Sequence, residues 1–162
     1  AQCVDPSQPY RCVFQTNSWG DARTRSYTSI SQEMDDIIRI NDFVILQSQS
    51  NAGNQDSRPQ AWAKNIISVG GIRHGDDQNF SNDTWNYGAS IGPAADGRIK
   101  PDLCYWYDSI RTTSDSGGYT NTFGGTSAAT PEETLAQFAK DIGPHLSEKD
   151  RSRLLAHRAL GG

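Results

Sequence analysis

One serine in this chain lies among residues that could support nucleophilic chemistry. Ser127 belongs to segment 124–131, Gly-Gly-Thr-Ser-Ala-Ala-Thr-Pro, at the predicted junction of a strand and a helix. The first N–H groups of a helix have no partner within it, and the helix dipole is positive there. A serine at this point directs its oxygen to a place where a developing oxyanion is stabilised. Its small neighbours allow a substrate backbone to approach closely. An isolated Thr-Ser pair would instead indicate a plain helix cap.

The composition limits the class of protein. The chain has 162 residues, of which 35% are hydrophobic and 21% charged, with a formal net charge of -4. This length suits one domain or a large part of one. A mean hydropathy of -0.69 is polar for an independent domain, which favours part of a larger domain. The negative charge gives no reason to expect nucleic-acid binding. No apolar run approaches the ~20 residues that span a bilayer. We therefore expect neither a nucleic-acid partner nor a membrane.

The elements that would position Ser127 alternate between strands and helices. Apolar residues at 30, 34, 37 and 38 predict an amphipathic helix, with Asp35 and Asp36 on another face. Continuous apolar runs predict strands that are covered on both faces. Strands are predicted at 12–16, 43–46, 65–69, 102–107 and 108–113, and helices at 29–40, at 126–140 and from 147 onward. This alternation predicts an α/β fold, a parallel sheet with helices on both faces.

Five segments, in a fixed order, resemble the motifs of the subtilisin-like serine peptidases, the subtilases. Segment 124–131 resembles the nucleophile motif of that family. The other four resemble its substrate-binding edge strand, its oxyanion asparagine segment, the buried strand that follows, and its Gly-x-x-Lys-Pro-Asp stretch. They are segments 17–20, 50–54, 65–70 and 96–102. Each motif alone is weak, but the order is specific, and the resemblance runs from about Val13 to near the C-terminus. It implies the subtilisin-like fold, incomplete in this chain.

The resemblance implies catalytic roles for two residues. Ser127 would be the nucleophile that attacks a peptide carbonyl and forms an acyl-enzyme. Asn54 would donate its side-chain amide to the oxyanion, together with the backbone N–H of Ser127. From the residues alone, Asn54 could also be a simple turn residue, because Gly-Asn suits a bend.

The resemblance also implies residues that bind the substrate. Ser18, Trp19 and Gly20 would lie along the substrate backbone as an added strand. Ala52 and Gly53 would help to line the primary specificity pocket. For Trp19, packing in the core is an equal alternative. The implied substrate is an exposed, extended segment of a protein or peptide.

The family also needs an Asp and a His, and both belong upstream of segment 17–20. Residues 1–16 contain no histidine, and Asp5 lacks the family's sequence context. The three histidines, His74, His145 and His157, come after the oxyanion segment. A serine without a base is a poor nucleophile. We therefore expect residues 1–162 to be the C-terminal portion of one subtilase-like catalytic domain, inactive by itself. An N-terminal fragment would supply the catalytic Asp and His.

Departures from the family pattern keep other functions open. Residues 105–107, Tyr-Trp-Tyr, stand where the family usually has Ala-Pro-Gly. Glu132 and Glu133 follow Pro131, and carboxylates near the nucleophile would oppose a developing oxyanion. One alternative is an inactive pseudo-peptidase that binds extended peptides. Another is a structural fragment that is stable only in a complex.

Two cysteines and an oxygen-rich loop bear on the cellular compartment and on metal binding. Cys3 and Cys12 could close a disulfide loop, which would suggest an oxidising compartment, or could be free thiols. Family habit also implies a secreted or extracellular protein. No cofactor is required, although an oxygen-rich loop could hold a structural calcium ion or simply be solvated. The loop comprises Asp76, Asp77, Asn79, Asn82 and Asp83.

Overall fold

The computed structural model describes Asp5, Ser7, Pro9 and Cys12, and residues 14–85 and 87–137. Predictions that concern Cys3, His145, His157 and the last helix lie outside the described residues, so the disulfide between Cys3 and Cys12 stays a prediction. Within the described ranges, no helix is long and apolar enough to cross a lipid bilayer.

The main sheet is built mostly from parallel strands. Its order is β1-β2-β3-β4, and β5 also pairs with β3. The β1–β2, β2–β3 and β3–β5 pairs are parallel, whereas the β3–β4 pair is antiparallel. The strands are β1 Phe14–Asn17, β2 Val44–Ser48, β3 Ile67–Arg73, β4 Thr84–Trp85 and β5 Leu103–Trp106. The predicted parallel sheet is confirmed, with a short antiparallel strand that makes it mixed.

A hairpin and two helices complete the described architecture. The hairpin joins β6 Ile110–Thr113 to β7 Tyr119–Phe123, with a turn that contains Gly117 and Gly118 between them. The helices are α1 Ser29–Asn41 and α2 Thr126–Gln137. Short 3-10 turns lie at Pro59–Trp62 and Phe80–Asn82.

The core is divided between the two faces of the sheet, because successive strand residues point in opposite directions. On one face, Ile45 of β2 packs in a cluster with Met34 of α1. On the other face, Leu46 and Val69 pack against Ala129 of α2. One helix therefore covers each face, as the α/β prediction required.

The prediction for α1 is correct in extent but wrong about one face. Asp35 is only 8% exposed, whereas Ile37 is 43% exposed. The buried carboxylate of Asp35 accepts hydrogen bonds from the backbone N–H groups of Lys64, at 3.0 Å, and Asn65, at 2.7 Å. A buried charge is tolerated when such bonds replace water. Asp35 therefore ties α1 to the chain that leads into β3.

Part of segment 96–102 has a structural role that positions β5. The Nζ atom of Lys100 lies 2.6 Å from Oδ2 of Asp102, and Lys100 is only 4% exposed. The same carboxylate oxygen accepts bonds from the N–H and the hydroxyl of Ser68 in β3. The Lys100 side chain is buried and that of Asp102 is 38% exposed, and the pair fixes the start of β5 against β3. The carboxyl ends of β1, β2, β3 and β5 then meet at one edge of the sheet.

Candidate active site

Ser127 is the second residue of α2, at a sharp turn. The preceding Gly125 has a φ of +83°, a left-handed conformation that favours glycine. Its N–H donates a 2.6 Å hydrogen bond to the carbonyl of Tyr107, and its own carbonyl accepts one from Ala128. Within the described ranges, nothing accepts a hydrogen bond from the N–H of Ser127. This N–H is therefore available to a developing negative charge.

The predicted edge strand lies beside the nucleophile segment. The hydroxyl of Ser18 donates a 3.2 Å hydrogen bond to the backbone carbonyl of Ser127. The side chain of Trp19 is 61% exposed, so the alternative of core packing is wrong. The carbonyl of Trp19 accepts a 2.7 Å bond from Nε2 of Gln47, which fixes the segment to β2. The structure thus brings together Ser18 and Ser127, and the substrate-binding role of Ser18, Trp19 and Gly20 stays a prediction.

Gly20 closes the same edge segment by a tight contact. A Cβ atom at this position would lie 2.7 Å from Oε1 of Gln60 and 2.8 Å from Cβ of Arg58. Real Cβ atoms essentially never come so close, so the segment can adopt this path only with glycine.

The loop with the predicted pocket residues is fixed by its backbone. The N–H of Ala52 donates to the hydroxyl of Ser90, at 3.1 Å, and that of Gly53 donates to the carbonyl of Gly88, at 3.0 Å. Gly53 and Asn54 line a cleft of about 360 Å³. The other lining residues are Arg25, Gln55, Asp56 and Ile91. Ala52 is not among them, and the roles of Ala52 and Gly53 in the specificity pocket stay predictions.

The side chain of Asn54 forms a local turn. Its Oδ1 accepts a 2.7 Å hydrogen bond from the N–H of Asp56, and the residue is exposed. Among the described residues, no hydrogen bond joins Asn54 to Ser127. The oxyanion role of Asn54 stays a prediction, and the turn bond leaves its Nδ2 free to donate.

One residue for which the sequence predicted no individual role, Asn51, lies directly at the nucleophile segment. Oδ1 of Asn51 accepts hydrogen bonds from the N–H of Thr126, at 2.9 Å, and from its hydroxyl, at 3.0 Å. Asn51 follows a buried strand whose carboxyl end is at the edge where α2 begins. That position was a usable signal, because polar residues after parallel strands often meet at one edge.

The histidine that the structure describes has a partner of its own. Nδ1 of His74 lies 3.0 Å from Oδ1 of Asp108, and the ring of Trp106 lies 4.9 Å from the imidazole. The two residues follow β3 and β5, which are parallel neighbours. Burial raises the pKa of the Asp108 carboxyl, but hydrogen bonds from His74 and Gly75 outweigh it and hold the pKa below its usual value. Among the described residues, no hydrogen bond joins His74 to Ser127.

Neither Asp5 nor the oxygen-rich loop forms part of this site. The Asp5 carboxylate accepts bonds from its neighbour Ser7. In the loop, Asp77 accepts hydrogen bonds from Asn82 and Asn79, which lower the pKa of its carboxyl. In the part of the chain that the structure describes, no three His, Cys, Asp or Glu side chains are grouped to hold a metal ion.

Solved structures of two proteases share the fold. The maturation protease of prenylagaramide, PagA, has 16% sequence identity and a TM-score of 0.60, with 88% of this chain and 48% of that chain covered. The self-cleaved protease domain of PatA has 15% identity and a TM-score of 0.59, with 85% and 46% covered. This chain thus spans about half the length of the structures that it matches. At such identities the likeness shows the fold alone.

Comparison of sequences identifies the family. No curated protein matches this chain significantly. The model of the subtilase family, however, matches residues 2–159, nearly the whole sequence. The matched range includes all five of the segments that resemble subtilase motifs. The chain therefore belongs to the subtilase family.

Proposed function

We propose that this chain is the C-terminal, nucleophile-bearing portion of a subtilisin-like serine endopeptidase domain. The observation that carries the proposal is the position of Ser127 at the start of α2, with an N–H that has no acceptor in the described ranges. The hydrogen bond from Ser18 supports it, because it brings a candidate substrate strand to that serine. Membership of the subtilase family supports the same reaction class, and the two protease structures support the fold.

In the proposed reaction, the Oγ atom of Ser127 attacks the carbonyl carbon of the scissile peptide bond. A histidine takes the hydroxyl proton and then gives it to the departing amine, which leaves an acyl-enzyme. Water hydrolyses this ester and restores the serine. The N–H of Ser127 and the amide of Asn54 would donate to the oxyanion. Every group in these steps belongs to a side chain or the backbone, so the chemistry requires no cofactor.

A second polypeptide segment would supply the catalytic Asp and His. This chain spans less than half of the protease structures that it matches. Among the described residues, β1 pairs with β2 alone, so its other edge can accept a strand. An unpaired strand edge is a ready template for another strand. We propose that the N-terminal fragment binds at this edge.

The substrate would be an extended segment of a protein or peptide. Trp19 is exposed and directly follows Ser18, which bonds to the nucleophile segment, and Gly53 lines a cleft. Pairing of the substrate backbone with residues 18–20 would add a strand to the sheet, with side-chain pockets giving specificity. Because many subtilases are secreted and bind calcium, the proposal includes secretion of this protein and a structural calcium ion.

A pseudo-peptidase that binds extended peptides is the second candidate. It rests on the departures from the family pattern, which are Tyr-Trp-Tyr at 105–107 and the two carboxylates, Glu132 and Glu133, after Pro131. A protein of this kind would keep the substrate strand but would not form an acyl-enzyme.

Fluorophosphonate labelling separates these candidates. The protein is purified with whatever it binds, and native mass spectrometry tests for a second polypeptide. We expect stoichiometric labelling that is lost in Ser127→Ala and kept in Ser116→Ala, which changes an exposed serine in the hairpin turn. An unlabelled complex that still binds peptides would support the pseudo-peptidase. An unlabelled lone chain would refute the peptidase proposal for this molecule.

A further inference from the structure

Asn51 caps α2 from a distant loop. The Thr126 N–H to which its Oδ1 bonds is the first of α2, one of the groups that a helix leaves without an internal partner. The two residues are 75 positions apart in the sequence. Thr126 is only 1% exposed, so its N–H and hydroxyl are buried, whereas Asn51 reaches them from an exposed loop. The next residue is the proposed nucleophile, Ser127, and its backbone direction therefore depends on this contact.

The segment that presents Asn51 is held in a strained conformation. Ser50 has a φ of 108°, a backbone conformation that residues other than glycine rarely adopt. Its N–H donates a 3.1 Å hydrogen bond to the hydroxyl of Thr126. From the other side, Arg23 donates from Nε to the hydroxyl of Ser50, at 2.9 Å, and from Nη2 to the carbonyl of Asn51, at 3.2 Å. Strain that persists under such contacts is typical of functional sites.

The amide nitrogen of Asn51 lies against the turn before the nucleophile. A Cβ atom at Gly125 would be 3.0 Å from Nδ2 of Asn51. Within the described ranges, no acceptor pairs with this Nδ2. The side chain thus uses its oxygen for Thr126, while its nitrogen packs beside Gly125. Both contacts restrict the same turn.

We infer that Asn51 is a positioning residue, which fixes Thr126 and thereby sets the direction of the hydroxyl and N–H of Ser127. This inference rests on the proposed function of Ser127. A nucleophile misplaced by ~1 Å can lose ~10²-fold in rate. Because Asn51 acts on the nucleophile turn, its loss lowers the rate of bond formation more than the affinity for the substrate.

The test measures saturable fluorophosphonate labelling and amide hydrogen exchange on the complete complex. In Asn51→Ala, the maximal labelling rate should fall about tenfold or more, with the half-saturating probe concentration nearly unchanged. The N–H of Thr126 should exchange faster. Thr126→Val, which removes the hydroxyl, should also lower the labelling rate. Thr126→Ser, which keeps the hydroxyl, should be labelled at nearly the rate of the unchanged protein. Asn121→Ala, at an exposed asparagine of β7, serves as the matched control.

The two readouts distinguish the failure of this inference from that of the proposed function. If the unchanged complex is labelled and Asn51→Ala is labelled at the same rate, the positioning role is refuted alone. If exchange at Thr126 does not change in Asn51→Ala, the contact does not fix α2 and the inference also fails. If the unchanged complex is not labelled, the peptidase proposal fails and this role fails with it.

Discussion

The hydroxyl of Ser18 and the carbonyl of Ser127 are joined by a 3.2 Å hydrogen bond, although the residues are 109 positions apart. Ser18 directly follows β1, and Ser127 lies in the first turn of α2. The bond therefore connects the end of an edge strand to the start of the helix that covers the sheet. A peptide paired with residues 18–20 would run directly past the proposed nucleophile.

Gly20→Ala should weaken binding of an extended peptide inhibitor about tenfold or more. The new Cβ would overlap Gln60, which is buried and cannot retreat easily, since its Nε2 donates a 2.5 Å bond to Asp21. The segment with Ser18 and Trp19 must then shift. Inhibitor affinity is measured by calorimetry on the complex, with Ala22→Gly at an exposed nearby position as the control. Unchanged affinity in the variant would contradict the role of residues 18–20.

Asp35→Asn should lower the free energy of unfolding by roughly 1–3 kcal/mol, as expected for a buried group left without its bond. Both carboxylate oxygens of Asp35 accept hydrogen bonds from backbone N–H groups. In the asparagine variant, the side-chain NH₂ group would face one of these N–H donors, and that bond would be lost. The neighbouring Asp36→Asn is the matched control, because its ion pair with Arg39 is exposed. That change should cost less than about 1 kcal/mol. Urea denaturation measures both values, and equal losses would contradict this account of α1.

Much of the fold followed from apolar patterns along single segments. The run at 43–46 gave β2, and the spacing of apolar residues from 30 to 38 gave α1. Burial of Asp35 could not be predicted in this way, because its partners come from a segment about 30 residues later. A helical pattern indicates which side chains share a face but not which polar groups the rest of the chain brings to it.

In the candidate site too, local patterns predicted some residues but not the contacts between distant segments. Motif order indicated Ser127 and the edge segment of Ser18. The contact between Asn51 and Thr126 depends on how the end of β2 meets the start of α2, which no local pattern specifies. For Asn54, the motif predicts a role in binding the oxyanion. In the structure, its Oδ1 accepts a hydrogen bond from the N–H of Asp56 in the same turn.

Asp102→Ala should destabilise the fold more than Lys100→Met. Removal of Asp102 leaves the buried ammonium group of Lys100 without its carboxylate, with a 3.1 Å hydrogen bond to the carbonyl of Ile66. Because the Asp102 side chain is 38% exposed, we expect a loss of about 1–3 kcal/mol. It also removes the acceptor of two hydrogen bonds from Ser68. Methionine in place of Lys100 removes the buried charge itself and keeps most of the volume. Free energies of unfolding in urea give the comparison. An equal or larger loss in Lys100→Met would show that packing, not charge, dominates at this position.

Asp108→Asn should reduce the loss of stability in acid. The pKa of the Asp108 carboxyl is lower in the folded protein than usual, since hydrogen bonds from His74 and Gly75 outweigh the effect of burial. The Nε atom of Arg73 also lies 3.9 Å away. A carboxyl of this kind binds protons more tightly in the unfolded chain. Its contribution to stability is therefore complete above the unfolded pKa of about 3.9 and is lost as the pH falls through the folded pKa.

The measurement compares free energies of unfolding at neutral pH and at about pH 3, below the unfolded pKa. The unchanged protein should lose more stability between these conditions than Asp108→Asn, whose amide does not titrate in this range. Asp115→Asn, at an exposed aspartate of the hairpin turn, should behave like the unchanged protein. If Asp108→Asn loses as much stability in acid as the unchanged protein, its bonds to His74 and Gly75 do not stabilise the ends of β3 and β5.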